Sequence, residues 1–109
     1  MKLNKYGNSI LLHDSMKIVF IDINDILFLE KLGNDTYIHT ADKTVKASVS
    51  LKNIHTLLSP DFVRSHRSFI INKRRIVEIQ FMNASCCEVL FGEQKKALIK
   101  KEKVNEIIT

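Results

Sequence analysis

The residues of this chain best equipped for chemistry are Arg64, Ser65, His66, Arg67 and Ser68, which follow one another without a gap. They lie between Phe62 and the apolar Phe69-Ile70-Ile71, and no acidic residue interrupts the stretch from Phe62 to Asn72. Arginine presents a planar fork of N–H donors that matches a phosphate or the edge of guanine, and histidine and serine add shorter donors. The cluster therefore suits an anionic or nucleic-acid partner. It does not suit nucleophilic catalysis, because Ser65 and His66 are adjacent and neighbours on a strand point to opposite faces.

Other reactive groups reduce to structural roles. Asp22 with Asp25, and Asp35 with Asp42, sit where helix caps and turns need a short acceptor. No glycine-rich phosphate loop, HExxH pair or nucleophile elbow is present. His13, His39, His55 and His66 have no ligand spacing, and the adjacent Cys86 and Cys87 read as strand residues. The expectation is a protein that is not an enzyme and needs no cofactor or metal.

Composition points the same way. Apolar residues make up 45% of the 109 and charged residues 27%, with only three glycines and one proline, which favours one ordered domain over residues 1–109. No apolar run reaches the roughly 18–20 residues of a membrane span, and the start lacks a signal-peptide pattern, so a cytoplasmic location is expected. The net charge of +5 is unevenly spread. Residues 1–42 carry four lysines against six acids, whereas residues 43–109 carry thirteen basic residues against six acids. A basic half on a small domain implies a polyanionic partner.

The elements that must position the cluster are mostly strands. Lys17–Ile21 and Ile26–Glu30 are short apolar runs separated by one turn, Ile23-Asn24-Asp25, with Asp22 as its cap. Gly33-Asn34-Asp35 is a turn leading into Tyr37–Thr40, and Ala41–Lys43 a turn leading into Thr44–Val49. In that last strand Val45, Ala47 and Val49 share one face. Ser50 caps a helix whose Leu51, Ile54, Leu57 and Leu58 form an apolar stripe, ended by Ser59-Pro60. Phe69–Ile71 is a buried strand followed by a polar corner, Asn72–Arg75. Three further strands follow, with Val77, Ile79 and Phe81 alternating in the first and turns at Asn83–Ser85 and Gly92-Glu93 between them. A short C-terminal helix buries Val104, Ile107 and Ile108. The pattern is mainly β and antiparallel, with minor helix. It holds neither a helix-turn-helix nor an internal repeat.

The order Arg64-Ser-His-Arg-Ser followed by Phe-Ile-Ile-Asn72 resembles the Arg-x-His-Arg-Ser-x-x-Val-Asn signature of LytTR-type DNA-binding domains. Ile23–Glu30, Gly33–Ile38, Val49–Lys52 and Asp61–Arg64 resemble further landmarks of that family in the same order, as does Ile76 after Asn72. The C-terminal end departs from it, with Ile99-Lys100-Lys101 where the family often reads Ser-Arg. The resemblance implies an elongated, multi-sheet antiparallel β fold with one or two short helices. It also implies a bacterial transcription regulator, the output domain of a two-component response regulator, although no receiver segment is found in these residues.

Family likeness further implies sequence-specific binding of double-stranded DNA by loops inserted into successive major grooves. The first loop would carry Asn34 and Thr36, the second Arg64, His66, Arg67 and Ser68, and the third Lys100 and Lys101. Arg67 is the expected base reader, with Arg64, Lys73, Arg74 and Arg75 on phosphates. His66 and Asn72 are expected to be chiefly structural, and Phe62 and Phe69 to anchor the core. Asp35 sits awkwardly in the first loop, since a carboxylate near phosphates repels. Two copies on direct promoter repeats, a homodimer on DNA, would complete the arrangement. Two other readings stay open: a β-rich module for RNA or single strands, which would display aromatic platforms, and a protein-interaction module with an apolar groove.

Overall fold

The computed structural model describes residues 1–92 and 94–108. Strands dominate, in the order β1 (Lys2–Tyr6), β2 (Ser9–His13), β3 (Ile18–Asp22), β4 (Ile26–Leu32), β5 (Asp35–Thr40) and β6 (Thr44–Ala47). Helix α1 (Leu51–His55) precedes β7 (Phe62–His66), β8 (Phe69–Asn72), β9 (Glu78–Phe81), β10 (Cys86–Leu90) and β11 (Lys96–Lys100). Helix α2 (Asn105–Ile108) comes last. The strands form three antiparallel sheets, ordered β1-β2-β3, β6-β5-β4-β8-β7 and β11-β10-β9. The fold is thus mainly β with two short helices, and it is elongated, measuring 45 × 27 × 25 Å.

The five-stranded sheet lies between two cores. Ile26, Leu29, Ile38, Ala47 and Ile70 face Ile10, Leu12 and Ile21 of the first sheet and Leu51 and Ile54 of α1. Leu27, Phe28 and Ile71 face Cys87, Val89, Ala97 and Ile99 of the third sheet, with Val104 and Ile107 packed against them. Four consecutive residues of β4, Ile26 to Leu29, are buried. A strand covered on both faces reads as a continuous apolar run rather than an alternating one.

Short polar side chains punctuate the chain where expected. Asp22 accepts from the Asn24 amide at 2.8 Å and caps the single turn Ile23–Asp25. Ser50 accepts from the Asn53 amide at 3.1 Å at the start of α1. Buried Asn72 accepts from the Arg74 amide at 3.0 Å and donates to the Ile26 carbonyl at 2.9 Å, which fixes the Lys73–Arg75 corner.

Several expectations need correction. The hairpin β1–β2 was not read from the sequence, although its Gly7-Asn8 tip repeats the Gly33-Asn34 dipeptide, and both glycines have positive φ, 58° and 62°. A glycine at that first position is what a two-residue hairpin of the II′ kind requires. Helix α1 ends at His55, well before Pro60, and Leu57 and Leu58 sit half-buried in the turns beyond it. Strand β6 stops at Ala47 rather than Val49. Phe81 and Ile108 are 68% and 69% exposed, because β9 is an edge strand and α2 is only four residues long, and Val77, which precedes β9 and is not part of it, is 70% exposed. Glu93, half of the turn expected at Gly92-Glu93, lies outside the described residues.

The double covering of β4 sets an energetic expectation. Leu29→Ala removes a fully buried side chain and should cost roughly 2–5 kcal/mol in urea unfolding. Val77→Ala, at an exposed edge, should stay within about 0.5 kcal/mol of the parent. Equal losses for the two variants would contradict the placement of the core.

Candidate nucleic-acid interface

Arg67 and Ser68 form the tip of the β7–β8 hairpin. A two-residue tip ordinarily needs positive φ, which suits glycine or asparagine. Neither Arg67 nor Ser68 has it, since Gln94 is the non-glycine residue with positive φ among those described. Two features accommodate the tip instead. The pairing of β7 with β8 slips between Arg64 and His66, leaving Ser65 as an extra residue that adds twist. The Arg64 side chain then closes over the turn, its Nε donating to the His66 carbonyl at 3.1 Å and its Nη2 to the Arg67 carbonyl at 2.6 Å.

The tip is tied to its neighbours on both sides. The Lys31 amide of β4 donates to the Ser68 carbonyl at 2.8 Å. Ser65 is fully buried and its hydroxyl donates to the Leu98 carbonyl of β11 at 2.8 Å. Lys103 reaches the Arg64 carbonyl at 2.9 Å. The Ser68 amide donates to Nδ1 of His66 at 3.1 Å, and His66 lies edge-on to Phe69 with ring centres 5.9 Å apart.

These ties bring three loops to one end of the molecule. The Gly33-Asn34 tip shares a hollow with Lys31, Lys52 and Arg64. On the other side, His66 shares a hollow with Ser85, Cys86, Lys100 and Lys101. Lys101 also rests over the Phe81 ring, 5.7 Å from its centre. Asn34, Arg67, Lys100 and Lys101 are exposed, and Lys31 and Lys52 are exposed beside them. None of these five cations, Lys31, Lys52, Arg67, Lys100 and Lys101, forms one of the ion pairs found among the described residues.

Not every expected residue joins this edge. Thr36 is buried, and its hydroxyl is spent on the Val49 carbonyl at 2.7 Å, so it presents no donor to a ligand. Lys73 and Arg74 lie at the opposite end of β8 from Ser68, separated by a four-residue strand, about 13 Å. Arg74 faces Asp61 at 3.9 Å there, and Arg75 donates to the Asn24 carbonyl at 2.6 Å. Asp35 turns towards Lys46 and Ser48, at 3.6 and 3.4 Å, so its charge is balanced within the β5–β6 pair. Conversely, Lys31 and Lys52 went unnoticed in the sequence. Only strand register carries Lys31 next to Ser68, and no local motif announces it.

A family model described as the LytTr DNA-binding domain matches residues 16–109. The chain belongs to the LytTR family. Its LytTR domain is 35% identical over 98 residues to the transcriptional regulatory protein NatR of Bacillus subtilis (strain 168), covering 88% of this chain. The chain spans about 42% of that protein's length. A solved LytTr DNA-binding domain from Bacillus cereus shares the fold, with a TM-score of 0.77 at 22% identity, covering 93% of this chain and 94% of that one. LytTR domains bind DNA and are not enzymes. Among the described residues no group of three or more His, Cys, Asp or Glu could hold a metal ion, and no helix is long and apolar enough to cross a membrane.

Two histidines of the LytTR domain titrate abnormally. Burial, aided by the charges of Arg67, Lys100 and Arg64, holds His66 below the usual imidazole range. That agrees with Nδ1 accepting the Ser68 amide, which requires a neutral ring with its proton on Nε2. His39 stacks on Phe28 at 4.3 Å and contacts Glu30 at 2.8 Å. There burial outweighs the pull of Glu30 and also lowers the pKa.

Both shifts have one sign for stability. Below about pH 6.5 the unfolded imidazoles take up protons that the folded ones resist. Their contribution is fully present above that value and is lost as pH falls towards the lowered pKa values. Urea midpoints should therefore drop between about pH 7.5 and pH 5.5, and the drop should shrink in His66→Gln and His39→Gln. A decline of unchanged size in both variants would assign the acid sensitivity elsewhere.

Proposed function

We propose that this LytTR domain is a sequence-specific binder of double-stranded DNA that serves a bacterial transcription regulator in the cytoplasm. The observation that carries the reading is the gathering of the Gly33-Asn34, Arg67-Ser68 and Lys100-Lys101 loops at one end, with none of their cations in an ion pair among the described residues. Loops on one edge can enter successive major-groove openings on one face of a duplex, which recur every ~10–10.5 base pairs. Arg67 projects from the central tip and is assigned to base edges, where an arginine pairs with guanine through two bonds. Asn34 is assigned to the groove on one side, Lys100 and Lys101 to that on the other. Lys31 and Lys52 are placed to meet phosphates between them. The name of NatR as a transcriptional regulatory protein supports the same role.

Binding should weaken with salt, with a log–log slope of about −2 to −4 for the two assigned phosphate lysines and up to two more from the Lys100-Lys101 loop. Arg67→Ala should cost about 1–3 kcal/mol on a site selected from random duplexes and blur preference at one base pair. Arg74→Ala, at the far end of β8, should leave affinity and slope unchanged. Tighter binding to single-stranded RNA than to any selected duplex would overturn the reading.

Two copies on direct repeats, lying on one face of the duplex, complete the proposed arrangement. Inserting about five base pairs, half a helical turn, between repeats should abolish cooperative binding. Cooperativity that survives the insertion would remove the paired arrangement and leave the single-domain reading intact.

A further inference from the structure

We infer that Arg64, although it opens the basic cluster, is a positioning residue that shapes the Arg67-Ser68 tip and does not itself contact the nucleic acid. The inference rests on the duplex-binding reading above and deepens it. Its basis is the accounting of donors at the tip. The Arg64 guanidinium donates through Nε to the His66 carbonyl and through Nη2 to the Arg67 carbonyl, at 3.1 and 2.6 Å. Both bonds take up the Nε–Nη2 edge of the fork, one of the two edges through which a guanidinium can grip a phosphate or a guanine. The side chain is only partly exposed, whereas Arg67 is exposed.

The tip needs such a clamp. With Arg67 and Ser68 both lacking positive φ, the tip does not take the favoured two-residue hairpin geometry, and the Arg67 carbonyl, outside the ladder, is met by the Arg64 guanidinium. Lysine in place of Arg64 keeps the positive charge. Its single ammonium lacks the planar fork that holds two carbonyls at once in fixed directions. Lys103, which donates to the Arg64 carbonyl at 2.9 Å, anchors the base of the clamp and links it to the segment following Lys100. Arg67 is thereby the arginine of the motif left free to project.

The test compares Arg64→Lys, Arg64→Gln and Arg67→Ala on the selected duplex, with salt titrations and a base-by-base profile. Arg64→Lys and Arg64→Gln should both weaken binding roughly tenfold and blur the same base pair that Arg67→Ala blurs. Neither should change the salt slope, because no phosphate contact is lost. A loss of global stability alone would lower affinity for all duplexes equally and leave the profile intact. A parental profile and affinity in Arg64→Lys, with a slope about one unit flatter in Arg64→Gln, would make Arg64 a phosphate ligand and overturn the inference.

Should the variants fail to fold, the parent protein decides by NMR. The Arg64 Nε–H should exchange slowly in the free protein and keep its resonance position when duplex is added. Fast exchange, or a large shift on binding, would overturn the clamp. The two readings fail separately. An unchanged profile in Arg67→Ala removes the recognition assignment, whereas a changed profile there with a parental one in Arg64→Lys removes only the clamp.

Discussion

The architecture depends on one strand being covered on both faces. Ile26 and Leu29 of β4 belong to one core and Leu27 and Phe28 to the other. Side chains on a regular strand alternate, so Leu27 and Phe28 could not share a face without an irregularity. The pairing of β4 with β5 supplies it, slipping between Ile26 and Phe28. Bulges disrupt the ladder and leave backbone groups to be satisfied in other ways. Here the amide of buried Asn72 bonds the Ile26 carbonyl, so a residue after β8 completes an interruption in β4. The same strand then runs on to the Gly33-Asn34 tip and bonds Ser68 through the Lys31 amide. The double core and the grouping of loops are consequences of the same element.

Much of this was legible residue by residue. Asp22, Ser50 and Asn72 act within two or three residues of themselves, and such local bonds depend on little beyond the side chain and the turn. Strand existence followed from periodicity. What periodicity cannot tell is whether a face is covered. Val77 and Phe81 alternate with polar residues as core residues do, and within β9 Ile79 and Phe81 lie opposite Val89 and Cys87. The third sheet ends at β9, however, so the side chains of Val77 and Phe81 stay exposed. The first hairpin was missed for a different reason. Lys2–Tyr6 is almost wholly polar, so only its Gly7-Asn8 tip marked it.

The candidate site was legible as a motif but not as a division of labour. Polar residues near a turn read as surface donors, yet Thr36, Ser65 and Arg64 give theirs to backbone carbonyls. Buried polar groups must be satisfied, and irregular strand pairing creates carbonyls in need of donors. Sequence spacing does not show the Leu98 carbonyl that answers Ser65, because that contact spans thirty-three residues. The basic half of the chain likewise resolves into two ends of a hairpin. Arg67 stands at one and Lys73 to Arg75 at the other, where Asp61 and the Asn24 carbonyl take up Arg74 and Arg75.

A protein that reads DNA through loops faces a difficulty that a recognition helix avoids. Loops are generally mobile, and ordering them on binding subtracts from affinity. Proposed contacts from a two-residue tip gain strength only if the tip is already fixed in the free protein. Around Arg67 the chain meets that requirement with bonds to both neighbouring strands and a guanidinium bridging two carbonyls. The neutral His66 ring, accepting the Ser68 amide, adds one more tie. A signature rich in hydrogen-bonding side chains can therefore be mostly internal scaffold. On this account, the share of donors given up to the backbone is what allows one exposed arginine to act with a defined direction.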